Sequence, residues 1–267
     1  MKFGIIVAKD NKKAQEISEK IEKYFAGKKH EVVSDLAKSD LVLTLGGDGI
    51  LIHAASEFAD LGVPFFGINV GTLGFLTAVE ADEWQKAIDK MISGKYFVSE
   101  RMTLDASIAN SKSESRNSKF RALNEIVVKG MYRVIDLELL VDGQKFISIQ
   151  GDGVIVSTET GSTAYSLSAG GPIVDPEIDC FLVTPVNAVG LPIPSIALSP
   201  NDVIEIKIKS GDDISLVIDG QKHTSVEAGQ TVKVVRGKNK VKLIYLNKHH
   251  FLKALNAKFG LASRLVG

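Results

Sequence analysis

The residues best suited to handle a phosphate are Gly46-Gly47-Asp48-Gly49. Three glycines leave backbone N–H groups unscreened, which suits an anion, and Asp48 between them can accept a proton or hold a metal. A second glycine-rich run spans Gly67-Ile68-Asn69-Val70-Gly71-Thr72-Leu73-Gly74-Phe75. It reads either as a tight strand-to-helix connection or as a place where a ligand meets the backbone. The third is Gly151-Asp152-Gly153 with the hydroxyl-rich stretch Ser157 to Pro172, centred on Thr163, Ala164, Tyr165, Ser166, Leu167 and Ser168. Hydroxyls and N–H groups there suit ribose and phosphate oxygens; a capped turn inside a β domain is the plainer reading. No G-x-x-x-x-G-K-[ST] and no G-x-G-x-x-G occurs, which excludes an ordinary P-loop kinase and a standard Rossmann dehydrogenase.

Other polar residues carry weaker signals. Asn124-Glu125 lies within the strand-like stretch Phe120–Val128. Neighbours on a strand point to opposite faces, so one of the pair turns inward and needs partners there, or else reads a nucleoside. His53 follows Asp48 by about a turn and is expected on the same helical face, near a phosphate at the helix start. His30, His249 and His250 read as surface or capping residues, and no metal-ligand spacing is present. The lone Cys180, beside Phe181-Leu182-Val183, reads as a small buried hydrophobe rather than a reactive thiol.

These residues must be positioned by two halves of different period. Up to about Ser99, strands (Phe3–Ala8, Glu31–Ser34, Leu41–Leu45, Pro64–Asn69) alternate with helices (Asn11–Phe25, Ile50 to about Phe58, Asp82 to about Ser93). That order predicts a parallel sheet flanked by helices, with ligands at the strand carboxyl ends, where Gly46 to Asp48 fall. The polar run Asn110–Lys119 is expected as a solvated loop. Beyond it the period becomes two. Val134–Val141 turns through Asp142-Gly143 into Lys145–Ile149, a hairpin signal, and Val203–Lys209, Ile214–Ile218, Thr231–Val235 and Val241–Leu246 continue a mostly antiparallel sheet. A closing helix, His250 to about Lys258, is expected to pack back on the first half.

Length and charge narrow the classes further. A chain of 267 residues, 45% hydrophobic and 24% charged, is sized for two cores. Lys+Arg and Asp+Glu balance at 32 each, so no net field recruits nucleic acid or an anionic membrane. The apolar N-terminus is short for a signal peptide and no stretch approaches the ~20 residues that span a bilayer. A cytoplasmic setting is expected.

Taken together, the Gly-Gly-Asp-Gly turn, Gly71-x-x-Gly74-Phe75, Asn124-Glu125, Asp152-Gly153, Thr160-Gly-Ser-Thr-Ala-Tyr165, Gly170-Gly171-Pro172 and Asp219-Gly220-Gln221 resemble the NAD kinase family in order and spacing. The resemblance runs from Met1 to about Asn247. It implies an α/β domain over 1–99, joined by about 248–267, and a β-rich NAD-binding domain over 100–247. It implies transfer of the γ-phosphoryl group of ATP, another nucleoside triphosphate or polyphosphate to the 2′-hydroxyl of the adenosine ribose of NAD. By the resemblance Asp48 is the catalytic carboxylate. The binding positions are Gly46, Gly47, Gly49, His53, Gly71, Phe75, Asn124, Glu125, Arg133, Gln150, Asp152, Thr163 to Ser168 and Gln221. Mg²⁺ or another divalent cation is expected through the nucleotide phosphates, without a dedicated protein site. A homodimer or homotetramer with an NAD site shared between subunits is implied, with no nucleic-acid or membrane partner. Glu159 stands where the family usually has Pro, Gln150 where many members have Arg, and Pro185–Gly190 lacks the usual Pro-His-Ser-Leu-like segment. A lipid or other small-molecule kinase built on the same turn, and a non-catalytic nucleotide sensor, are the competing readings.

Overall fold

The computed structural model describes residues 1–71, 74–110 and 119–261, so most of the expected polar loop lies outside the described residues. The chain forms two compact units, Met1–Arg101 with Val241–Gly267, and Met102–Lys240.

In the first unit the strands run in the order Glu31–Val32, Lys2–Val7, Leu41–Gly46, Phe65–Asn69, Val241–Tyr245, Phe97–Arg101, with the short Val79–Glu80 beside Phe65–Asn69. All pairings are parallel except that between Val241–Tyr245 and Phe97–Arg101. Helix Lys12–Gly27 begins where the Asn11 side chain accepts the Ala14 N–H at 3.0 Å, a standard N-cap. It buries Ile17, Ile21 and Phe25, and Phe25 stacks on Phe3 with ring centroids 4.1 Å apart. Helices Lys12–Gly27 and Trp84–Ile92 close this core through Phe25, Ile88 and Met91 against Leu43, Phe66, Ile68 and Ile244. The closing helix, His250–Phe259, belongs to this unit, as expected.

The second unit is a sandwich of two six-stranded antiparallel sheets. One runs Gln144–Gly151, Ile135–Val141, Ile204–Ser210, Gln230–Arg236, Leu104–Asn110, Lys119–Ala122. The other runs Ile196–Leu198, Phe181–Val186, Gly153–Ser157, Glu125–Gly130, Ile214–Ile218, Lys222–Val226. Inward residues of both, among them Leu137, Ile206 and Val232 from one and Val128, Val156 and Leu216 from the other, share a single core. The Asp142-Gly143 hairpin is present, both residues at positive φ (50° and 77°) as its tight turn requires.

Three expectations are corrected. The alternation of Val241–Leu246 groups it with the antiparallel half, yet this strand sits inside the first sheet, because its residues are buried on both faces between Phe65–Asn69 and Phe97–Arg101. The stretch Phe120–Val128 is two strands, broken at Leu123-Asn124 and continued in different sheets. The helix after the glycine turn begins at Asp48, two residues earlier than its apolar pattern shows, since the first helical positions carry no core contacts. Gly153–Ser157 and Phe181–Val186 are central strands with every residue buried; they lack the period-two signature that marks a half-exposed strand.

Candidate active site

In the first unit, strand Leu41–Gly46 ends at the glycine turn, and Gly47 caps helix Asp48–Glu57 with no side-chain bond of its own. Among the described residues a Cβ on Gly47 would meet no atom within 4 Å, and one on Gly71 would have only a distant neighbour at 3.9 Å. The bare backbone at both positions therefore serves the space outside rather than the packing. Asp48 is differently placed. Its Oδ2 accepts the Phe75 N–H at 2.6 Å, and its Oδ1 accepts those of Leu76 at 3.2 Å and Thr77 at 3.0 Å. Gly74 makes this possible: a Cβ there would lie 1.9 Å from Asp48 Oδ1. Of the two readings of the Gly71–Phe75 run, Gly74 thus answers to a third need, the seating of a carboxylate. Oδ2 accepts one bond and has room for a second, so a hydroxyl can still reach it.

Behind Asp48 lies a buried polar cluster that the sequence does not announce. Arg101 and Tyr245 are each 4% exposed, and an Arg101 guanidinium N–H donates to the Tyr245 hydroxyl at 3.4 Å. Tyr245 stacks on the His250 ring at 4.3 Å. His250 is no surface residue: its Nε2 is buried with no partner among the described residues, and burial pushes the imidazole down to about 4. His53, by contrast, is exposed on helix Asp48–Glu57, roughly 140° around from Asp48 at 100° per residue and so off its face.

In the second unit the break at Leu123-Asn124 is the centre of a hydrogen-bonded corner. Asp219 sits at positive φ (49°) in the turn between Ile214–Ile218 and Lys222–Val226. Its carboxylate accepts the N–H groups of Leu123 (2.9 Å), Asn124 (2.7 Å) and Glu125 (3.1 Å). Thr158 holds the opposite side, its Oγ1 donating to the Leu123 carbonyl at 2.7 Å and its N–H to the Asn124 carbonyl at 2.9 Å. Gly161 lets this segment approach, since a Cβ would come within 2.2 Å of the Asn124 carbonyl oxygen. Asn124 and Glu125 are both buried rather than divided between faces, because the strand is interrupted between them and its neighbours. Among the described residues Asn124 Oδ1 and Glu125 Oε2 have no partner. Buried polar atoms left open in this way are costly, and they mark where a ligand's polar groups fit.

Burial is the main cause that raises the Glu125 carboxyl to about 8; the nearby Asp219 adds to it, and the Tyr165 N–H bonded to it works the other way. Folded protein therefore keeps a proton that the unfolded chain releases near 4.5. Stability is fully present below about 4.5 and falls as pH rises toward about 8, by an amount on the order of a few kcal/mol. Glu125→Gln, which cannot ionise, is expected to flatten this part of the melting temperature against pH curve and to be the more stable protein at pH 8.5. Parallel curves for the two proteins would refute the assignment.

The remaining predicted residues divide. Thr163, Ala164, Leu167 and Ser168 are partly or fully open, and Tyr165 is 36% exposed. Ser166 is fully buried and bonded to Thr184 Oγ1 at 2.9 Å. Asp152 accepts from the Asn187 side chain at 2.7 Å, Gln150 donates to Asp136 at 2.9 Å, and Arg133 is exposed in the turn after Gly130. Gln221 closes the Asp219 turn through its N–H to the Ile218 carbonyl at 3.0 Å. Glu159, the departure from Pro, is buried and accepts the Met102 N–H at 3.1 Å. The sequence motifs contain Asp219, Gly74 and Thr158 without assigning them a role at the site, and His250 reads there as a surface or capping residue.

A seated strand-end carboxylate beside bare glycines in one unit, and buried polar atoms without a partner among the described residues in the other, suit a phosphotransferase acting on nucleotides. The ATP-NAD kinase N-terminal domain matches residues 5–96 and the ATP-NAD kinase C-terminal domain residues 123–246. The chain belongs to the NAD kinase family. The NAD kinase of Geotalea daltonii is 38% identical over 230 residues, 85% of this chain and 80% of that protein. That of Lachnoclostridium phytofermentans is 34% identical over 236 residues, 85% and 83% of the two chains. Among solved structures, an NAD kinase from Archaeoglobus fulgidus in complex with ATP superposes with TM-score 0.78 at 25% identity, covering 97% of this chain and 98% of that one. Yeast NADH kinase complexed with NADH shares the fold, with TM-score 0.88 at 23% identity over 100% and 90% of the two chains.

Proposed function

We propose that this protein phosphorylates the 2′-hydroxyl of the adenosine ribose of NAD, with ATP or polyphosphate as donor. The observation that carries the reading is the seating of Asp48 by three backbone N–H groups beside open glycines. A ribose hydroxyl is a poor nucleophile. Asp48 Oδ2 accepts its proton as the oxygen bonds to the γ-phosphorus and the bond to the leaving phosphate breaks. The transition state is loose, so alignment and charge neutralisation supply most of the gain. The backbone around Gly47 and Gly71 admits the donor phosphates.

Among the described residues no group of three or more His, Cys, Asp or Glu could hold a metal. A divalent cation such as Mg²⁺ carried on the donor phosphates would offset their negative charge. The second unit is the NAD-binding domain in this reading, with Asn124 Oδ1 taking a donor of the nucleoside and the protonated Glu125 carboxyl offering its O–H to an acceptor. A homo-oligomer with an NAD site shared between subunits is part of this reading. No helix among the described residues is long and apolar enough to cross a membrane. The test incubates purified protein with NAD, Mg²⁺ and either ATP or polyphosphate, scores NADP, and sediments the same sample. No NADP with either donor overturns the kinase reading, and a monomeric species overturns the assembly.

A further inference from the structure

We propose that Gly67, at the centre of strand Phe65–Asn69, is a positioning residue for the Asp48 carboxylate, acting through the space its missing side chain leaves. The sequence motifs assign Gly67 no role, and a glycine inside a buried strand weakens it unless another backbone comes close. Here one does. A Cβ on Gly67 would lie 3.1 Å from Thr77 Cα, 3.1 Å from Thr77 Cγ2 and 3.2 Å from Leu51 Cδ2. Both neighbours belong to the seat of Asp48. The Thr77 N–H donates to Asp48 Oδ1 at 3.0 Å. Leu51 is on helix Asp48–Glu57, three residues after Asp48 and so on the same face of its first turn. Donor segment and acceptor helix therefore meet over the one residue of this strand that has no side chain.

Gly67 also ties the donor segment to the sheet. Its carbonyl accepts the Ala78 N–H at 2.8 Å, from the peptide next to the one whose N–H reaches Asp48. On its other side Gly67 pairs with Thr44, in the strand that leads into the glycine turn. Thr77 and Leu51 are 2% and 1% exposed, so neither has solvent to move into. A Cβ at such distances is tighter than ordinary contact, and the neighbours must give by a few tenths of an ångström. The bonds to Asp48 have little slack for that. The Leu76 N–H already stands at 3.2 Å, the long limit of a good N–H···O bond. Whichever neighbour yields, the carboxylate moves against its donors. Gly74 makes room for the carboxylate itself, and Gly67 makes room for what holds it.

The inference rests on Asp48 being the base, and the test separates the two claims. Gly67→Ala is expected to lower kcat for NADP formation about tenfold, with KM for NAD little changed; a misplacement of ~1 Å costs ~10²-fold, and this one is a fraction of that. The double variant Gly67→Ala/Thr77→Ser, which removes the Cγ2 contact, is expected to recover part of the loss. Gly4→Ala is the control, since it crowds another strand of the same sheet. Its nearest neighbours, Leu36, Val42 and Ser39, take no part in holding Asp48, so kcat is expected to stay. Unchanged kcat in Gly67→Ala overturns the proposal. So does a loss confined to KM, an equal loss in Gly4→Ala, or no recovery in the double variant. If Gly67→Ala fails to fold by thermal melt, the double variant is read in its place, with kcat below wild type expected at unchanged KM. Wild-type kcat there overturns the proposal, as does unfolding of both, which makes Gly67 a residue of the fold alone. Asp48→Asn is assayed alongside: if it retains turnover, the base assignment has failed, whatever Gly67 does.

Discussion

Asp48→Asn is expected to lower turnover about 10²–10⁴-fold, the usual worth of general-base help, with little change in KM for NAD. The substitution preserves shape and removes the charge and one acceptor. In the wild-type protein both carboxylate oxygens accept, Oδ2 from Phe75 and Oδ1 from Leu76 and Thr77. An amide can present its oxygen to only one side, so its NH₂ must oppose either Phe75 or the other two donors. The variant should then also lose about 1–3 kcal/mol of stability, the cost of an unmade buried hydrogen bond. Steady-state kinetics with NAD as varied substrate, paired with a thermal melt, check both parts. Turnover within tenfold of wild type would remove Asp48 from the chemistry, and a loss in KM alone would make it a binding residue.

The second large effect is expected from Asp219→Ala. Three N–H groups at Leu123, Asn124 and Glu125 would lose one shared acceptor in a corner where Asn124 is 7% and Glu125 5% exposed. At about 1–3 kcal/mol for each donor left unpaired, and with some relief from entering water, the loss is several kcal/mol. That is a large part of a typical 5–15 kcal/mol, and the melting temperature should fall by roughly 5–15 °C. Binding should weaken as well, because the turn that aims Asn124 and Glu125 is held from one side by Asp219 and from the other by Thr158. Asp219→Asn, which keeps one accepting oxygen, should fall between. Calorimetry and the KM for NAD decide the matter. An unchanged melting temperature would show that the three short contacts contribute nothing.

Much of the scaffold was legible because its causes are local. The run Leu41–Leu45 followed by glycines places a turn at a strand end, and Asp142-Gly143 builds a tight hairpin from two residues that tolerate positive φ. Strict alternation marks Ile204–Ser210 as half-buried, and the structure buries alternate residues there. Local pattern failed where burial is two-sided or a strand is interrupted. Val241–Tyr245 reads like its antiparallel predecessors and belongs to the other unit's sheet, while Asn124-Glu125 falls beside a break that no propensity marks.

What the sequence by itself determined is the inventory and its local setting: a carboxylate among glycines after a parallel strand, and a hydroxyl-rich segment in a β half. The tertiary structure alone decided which of those groups are held and which are open. Asp48 meets donors 27 to 29 residues away, Asp219 meets donors 94 to 96 away, and Arg101 meets Tyr245 at a separation of 144. Hydrogen bonding and desolvation act through space, so Ser166 could be spent on Thr184 while Glu125 was left with an open oxygen. Sequence spacing has no access to that distinction, because it depends on which distant segment the fold brings alongside.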